Sequence, residues 1–268
     1  MTSKLYKLDN YVTGYSNIIN SSINEYDISQ ANINILYDIG LLNDDMYNWL
    51  RNLTKKNREI TVGYMCKDKN ISKALQNGFI DARRKLFEFN NIEDESVLSI
   101  KKDAVYLIER TLMNTRFNSV YFRLANTYTS FYKIGRLELY YNGSTGVIDV
   151  KGISDETIEM YHKNHFLALL QAIFYRAENS DIETMMNIIN FYIEKYVNYE
   201  LDYECYREFN RVSSYRLKYN LLSVNDIGVN CLQNDIRNQF RDMIDISYNY
   251  QILLTLYGYY FDRFMDKS

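Results

Sequence analysis

The chain has no proline, where an average sequence of this length carries about a dozen. Kinks and rigid turns must therefore come from other residues. It has three cysteines, Cys66, Cys205 and Cys231, odd in number, far apart and without CxxC spacing. That excludes a disulfide framework and a cysteine zinc site. Histidine is limited to His162 and His165, which stand at i,i+3 but lack the Glu-x-x-His pattern or cysteine that would support a zinc reading. GxxxxGK[ST], GxGxxG and GxSxG are all missing, which removes the P-loop, dinucleotide and nucleophile-elbow chemistries. No apolar run approaches the length of a membrane span, and the N-terminal MTSKLYKLDNY lacks the apolar core of a signal peptide. A cytoplasmic protein with no membrane partner is expected.

What is present is 268 residues, 47% of them hydrophobic, enough for a sizeable core. The net charge of −3 excludes wholesale basic coating of nucleic acid but leaves room for a local basic groove. Tyrosine reaches 27, and Asn, Ile and Lys are abundant. These residues have AT-rich codons, a bias that fits an AT-rich bacterium or its phage.

The patterning predicts an α+β fold. Residues 21–38 read as a strand leading into a short helix, with Ser29 or Asp27 able to cap it. Residues 44–57 read as a helix with Met46, Trp49, Leu50 and Leu53 in one stripe and a basic end, Arg51, Lys55, Lys56 and Arg58. Residues 73–90 give a second helix, with Leu75, Phe79, Ala82, Leu86 and Phe89 on one face and Arg83, Arg84 and Lys85 mainly off it. From 96 the period changes. Residues 96–109 read as two strands with a tight turn, or one strand with an irregular middle, and 119–125, 128–141 and 146–151 continue as β. YNGSTG is the clearest hairpin turn, because Asn-Gly supplies positive φ at low cost. Past Gly152 the pattern is helical, with Ser154 as a cap and a further helix opening at Asp181. The expected organisation is an α+β domain over 1–153 and an all-helical domain over 154–268.

Two carboxylates stand out. Asp27 reads alone as a helix cap, Asp103 alone as a turn residue between strands. Together, each at a strand turn with a helix between them, they could converge on neighbouring strands. Two-metal phosphoryl transfer needs such a pair, and magnesium commonly uses one or two carboxylates plus substrate phosphates. Basic clusters at 51–58, at 83–85 and at Arg207, Arg211, Arg216 and Lys218 read as solvated faces. The last, interleaved with tyrosines, would also suit a nucleic-acid groove.

In this order the pieces resemble the C-terminal half of a family B DNA polymerase, strongly diverged and compact. DISQANINIL (27–36) resembles motif A, D-x-x-S-L-Y-P-S-I, through Asp27 and Ile35. SIKKDAVYL (99–107) resembles motif C, Y-G-D-T-D-S-V, with Asp103 on the second Asp and Lys101 on the first. GFIDARRKLFE (78–88) stands where the family has a palm helix. TSFYK (129–133) stands at the K-K-R-Y position through Tyr132, and IDVKGI (148–153) resembles the step into the thumb through Lys151 and Gly152. Motif A also fits the family A form, D-Y-S-Q-x-E-x-R-I-L, and both alignments meet on Asp27 and Asp103.

The resemblance implies a palm-like mixed sheet with reduced fingers, then a helical thumb-like region. Asp27 and Asp103 would be catalytic ligands of Mg²⁺. Lys55, Lys56 and Arg58 would meet the triphosphate. Asn32 would stand at the sugar-gating position, with Tyr132 and Lys151 at the primer–template DNA. It implies a minimal or split template-dependent nucleotidyltransferase, with a protein partner completing the split form. The alternative is a catalytically inactive phage accessory or structural protein that binds protein partners through its helical C-terminal half.

Overall fold

Strand and helix periodicities segregate along the chain, and the computed structural model is α+β with antiparallel sheets. It describes residues 2–15, 17–134, 137–151, 170–171, 173–176, 178–179, 182–198 and 200. The strands are β1 (Asn10–Val12), β2 (Asn17–Ile18), β3 (Ile23–Ile28), β4 (Val97–Lys101), β5 (Ala104–Ile108), β6 (Arg116–Phe117), β7 (Val120–Tyr128), β8 (Ser130–Ile134), β9 (Leu137–Tyr141) and β10 (Ile148–Lys151). The helices are α1 (Ala31–Asp38), α2 (Asp44–Asn52), α3 (Lys55–Met65), α4 (Lys69–Phe89) and α5 (Ile182–Val197). Among the described residues no helix is long and apolar enough to cross a membrane.

The chain divides into two compact units, residues 1–15 with 21–128 and residues 16–20 with 129–268. The boundary expected at 153 falls within 152–169, which lie outside the described residues, as do His162, His165, the Ser154 cap and the basic cluster beyond 203.

The first unit is built on a six-stranded antiparallel sheet ordered β1-β4-β5-β3-β7-β6. Both β3 and β4 run antiparallel to β5, so they are parallel to each other with β5 between them. The chain from β3 to β4 passes through four helices, which makes a split β-α-β arrangement. Alternate residues of the central strands, Tyr26 and Ile28, Ile100, Val105 and Leu107, and Phe122, form one face of the sheet. They share a single core with Ile33 and Leu36 of α1, Leu50 of α2, Val62 of α3 and Leu75, Phe79, Ala82 and Leu86 of α4. Period two on the sheet and period 3.6 on the helices produce this face between them.

Three helical expectations shift. The helix expected over 44–57 is two helices. Leu53 is extended (ψ 153°), and Thr54 starts α3 by accepting from the Asn57 amide at 3.4 Å. Lys55, Lys56 and Arg58 therefore open a helix instead of closing one. In α2 only Leu50 is buried, while Met46 and Trp49 are 44% and 54% exposed, because a nine-residue helix turns one narrow stripe inward. On α4, which starts at Lys69 behind an Asp68 cap, Phe89 is exposed and Arg83 is fully buried, the reverse of the expected faces.

The second unit carries a four-stranded antiparallel sheet ordered β10-β9-β8-β2. Its described core mixes aliphatic side chains, Leu139, Leu170 and Ile173 among them, with stacked aromatics. Phe131 and Tyr140 lie 5.0 Å apart, and Tyr132 stacks on Phe174 at 4.3 Å. The β9–β10 turn falls at YNGSTG as expected, by a different device. Asn142 Oδ1 accepts from the amides of Ser144 and Thr145, and the positive φ sits at Gly146 (71°). The helix expected to open at Asp181 is α5.

Candidate functional site

Asp27 lies inside β3, and it caps nothing. Helix α1 starts after Gln30, which adopts a left-handed conformation (φ 49°) and makes no side-chain cap, so neither Asp27 nor Ser29 serves that role. Across the sheet Asp27 is level with Ala104 of β5 and Arg123 of β7. Beyond it the ladder continues, with the Ile28 amide donating to Asp103 O (3.1 Å) and the Ser29 amide to Tyr121 O (3.0 Å). The Asp27 carboxylate thus emerges where three central strands end together.

Asp103 occupies the two-residue turn between β4 and β5, which settles that segment as a hairpin. Lys102, before it, is left-handed (φ 52°), a conformation that costs a non-glycine residue about 1 kcal/mol or more. Burial pushes the Asp103 carboxyl above the ordinary carboxylate range, and the charge of Asp27 adds to the rise. Its own backbone N–H and the ammonium groups of Lys102 and Lys55 pull the other way. The Asp27 charge thus reaches Asp103, and burial makes the Asp103 carboxyl easier to protonate.

Both carboxylates line one pocket of about 400 Å³, together with Asn32, Lys55, Arg58 and Arg123. The α2–α3 break aims the start of α3 at this pocket. Lys55 is largely free in solvent, its side chain 83% exposed and its nearest carboxylate, Glu59, 3.9 Å away. Arg58 is half-buried and donates to the Leu53 carbonyl at 3.4 Å. Gln30, which lines the pocket, and Lys102, next to Asp103, are two of six non-glycine residues with positive φ among the described residues, the others being Asn20, Asn91, Glu109 and Asn118.

Arg123 had no signal in the sequence and is central to the site. Its Nε and Nη2 donate to the two carboxylate oxygens of Asp27 at 2.7 and 3.0 Å, a bidentate pair. Only the β3–β7 register brings them together. Of the other expected residues, Asn32 lines the pocket, and its buried amide oxygen has no hydrogen-bond partner. Lys56 is exposed on α3 but is not part of the pocket wall. Tyr132, buried and stacked on Phe174, and Lys151, half-buried on β10, belong to the second unit. Lys101, level with motif C's first Asp, donates to Asn10 Oδ1 at 3.3 Å.

The donor set suits a hard cation that takes few protein ligands. Two carboxylates match magnesium's habit of relying on one or two, with waters and phosphates filling the rest. Among the described residues no group of three or more His, Cys, Asp or Glu gathers into an all-protein cage of the kind zinc requires.

No curated protein matches the sequence. A family model described as "Bacteriophage PBS1 gene 130 protein" matches residues 1–262. With nearly the whole chain matched, this protein belongs to the bacteriophage PBS1 gene 130 protein family.

Proposed function

We propose that the pocket is the nucleotide site of a polymerase-like nucleic-acid-binding protein, a minimal or split template-dependent nucleotidyltransferase. The observation that supports it is the convergence of Asp27, on β3, and Asp103, in the turn that enters the adjacent β5, on a pocket that also receives Lys55 and Arg58. In this reading the first unit serves as a palm, α2 and α3 as reduced fingers, and the helical pattern beyond residue 153 as a thumb-like region. Asp27 and Asp103 would hold Mg²⁺. When bound, such ions supply activation of the attacking and leaving oxygens in phosphoryl transfer. Lys55 and Arg58 neutralise the charge of the incoming phosphates, with Lys56 beside them, and act electrostatically without forming a covalent bond. Asn32 borders the space for the sugar. Lys151 and Tyr132 would serve the primer–template DNA, and a protein partner would complete a split enzyme.

The test is Mg²⁺- or Mn²⁺-dependent extension of a primed template. Asp27→Ala and Asp103→Ala should each lower the rate at least ~100-fold, because either removes a ligand the chemistry depends on. Extension at the wild-type rate in both variants would sink the catalytic reading.

One observation favours the second reading, a catalytically inactive phage accessory protein. The carboxylate oxygens of Asp27 are both taken by Arg123, so the protein carries its own counter-ion where a metal would sit. On that reading the wild-type protein fails to bind Mn²⁺ at millimolar concentration and still binds a protein partner.

A further inference from the structure

Arg83 of α4 is fully buried, an expensive place for a charge that cannot be given up. Its guanidinium donates through Nε to the Tyr6 carbonyl (2.9 Å), through Nη1 to the Lys102 carbonyl, and through Nη2 to Asp9 Oδ1 (2.7 Å). Asp9 is held in turn. Gln76 donates to its other carboxylate oxygen at 3.0 Å, and its own carbonyl accepts from the Lys102 amide at 2.7 Å. The hydrogen bond from Arg83 keeps the Asp9 carboxyl below the ordinary range. Thus the N-terminal segment, α4 and the β4–β5 turn meet on one buried fork.

The Lys102–Asp103 peptide lies at the centre of this arrangement. A trans peptide is planar, with its C=O and N–H pointing in opposite directions. Arg83 takes the Lys102 carbonyl, so the Asp103 N–H must point away from α4. The Asp103 Cα belongs to the same planar unit, so fixing the Lys102 carbonyl fixes the point from which the Asp103 side chain leaves. The opposite face of Lys102 is fixed as well, since its amide is bound by Asp9.

We infer that Arg83 is a positioning residue for Asp103, acting through the orientation of the Lys102–Asp103 peptide, with Asp9 as the second jaw of the clamp. The inference rests on the proposed role of Asp103 as a metal ligand. A lysine could reach one of the three acceptors but not all three, because only the guanidinium presents donors in a rigid fork.

Amide hydrogen exchange and Mn²⁺ binding, measured on full-length wild type, Arg83→Lys and Arg83→Met, test it. Arg83→Met should speed exchange of the Lys102 amide at least ~10-fold while leaving the Phe122 amide, bonded to the Thr115 carbonyl on the far side of β3, unchanged. It should also raise the Mn²⁺ concentration for half-saturation about 10-fold, and Arg83→Lys should fall between. If the Arg83 variants do not fold, Asp9→Asn, which leaves the guanidinium's bonds to the two carbonyls, should give the same local pattern more weakly. Exchange that rises by one common factor at Lys102 and Phe122, or not at all at Lys102, would overturn the clamp. Failure of wild type to bind Mn²⁺ would instead defeat the metal reading, and the exchange comparison would still decide the clamp.

Discussion

At the scale of single residues, the site is a balance of three cations, Lys55, Arg58 and Arg123, against three carboxylates, Asp27, Glu59 and Asp103. Asp103 is strained electrostatically, since its charged form is disfavoured by burial. Its folded-state carboxyl is raised, so the charged group destabilises the fold above that raised value. The penalty fades as pH falls through it and is gone below the unfolded value of about 3.9. Asp103→Asn should therefore raise the melting temperature at pH 7, and the gain should vanish on acidification below about pH 4. A gain that persists there would remove burial as its cause. Arg123 poses the complementary case. Its side chain is 58% exposed, so the ion pair with Asp27 contributes at most about 1 kcal/mol, and Arg123→Gln should leave stability nearly intact. The same change frees both Asp27 oxygens and should lower the Mn²⁺ concentration for half-saturation several-fold. Unchanged binding by paramagnetic titration would show that Arg123 does not compete with the ion.

At the scale of elements, α1 and α4 pack against each other so closely that only glycine fits at 78. A Cβ there would run into Cγ2 of Ile35, a branched side chain with little freedom to retreat. Gly78→Ala improves helix propensity by about 1 kcal/mol but overpacks the interface by roughly 1–3 kcal/mol. A net loss of stability, read in urea denaturation, is expected, and a stabilised variant would show that the helices can separate at no cost. The elements also mark where sequence reading works. The strand-then-helix order of 21–38, most of α4 and the turn at YNGSTG follow from local periodicity and turn residues, while the start of α4 at Lys69 lies four residues before the expected 73 and the 96–109 segment reads equally as a hairpin or one irregular strand. The α2–α3 break has no local signal, because Thr54 stands inside a continuous helical pattern. Arg83 reads as outward beside Arg84 and Lys85, which are partly exposed, and nothing local shows that Tyr6, Asp9 and Lys102 converge on it.

At the scale of the whole molecule, the net charge of −3 means that any nucleic-acid affinity must come from a local patch. With Lys151 as a template-backbone contact, single-stranded template binding should weaken with salt, and Lys151→Ala should reduce the log–log slope by about 0.7. A slope unchanged by Lys151→Ala would exclude a phosphate contact there.

The sequence by itself determined the α+β class and the two aspartates worth watching, because periodicity and turn preference are local properties. Only the tertiary structure decided that Asp27 is a strand residue and not a cap, that Arg123 grips it, and that a buried Arg83 holds the turn before Asp103. Each of these depends on strand register or on segments far apart in the chain brought together by one core. That information resides in packing, and no short stretch of the chain carries it.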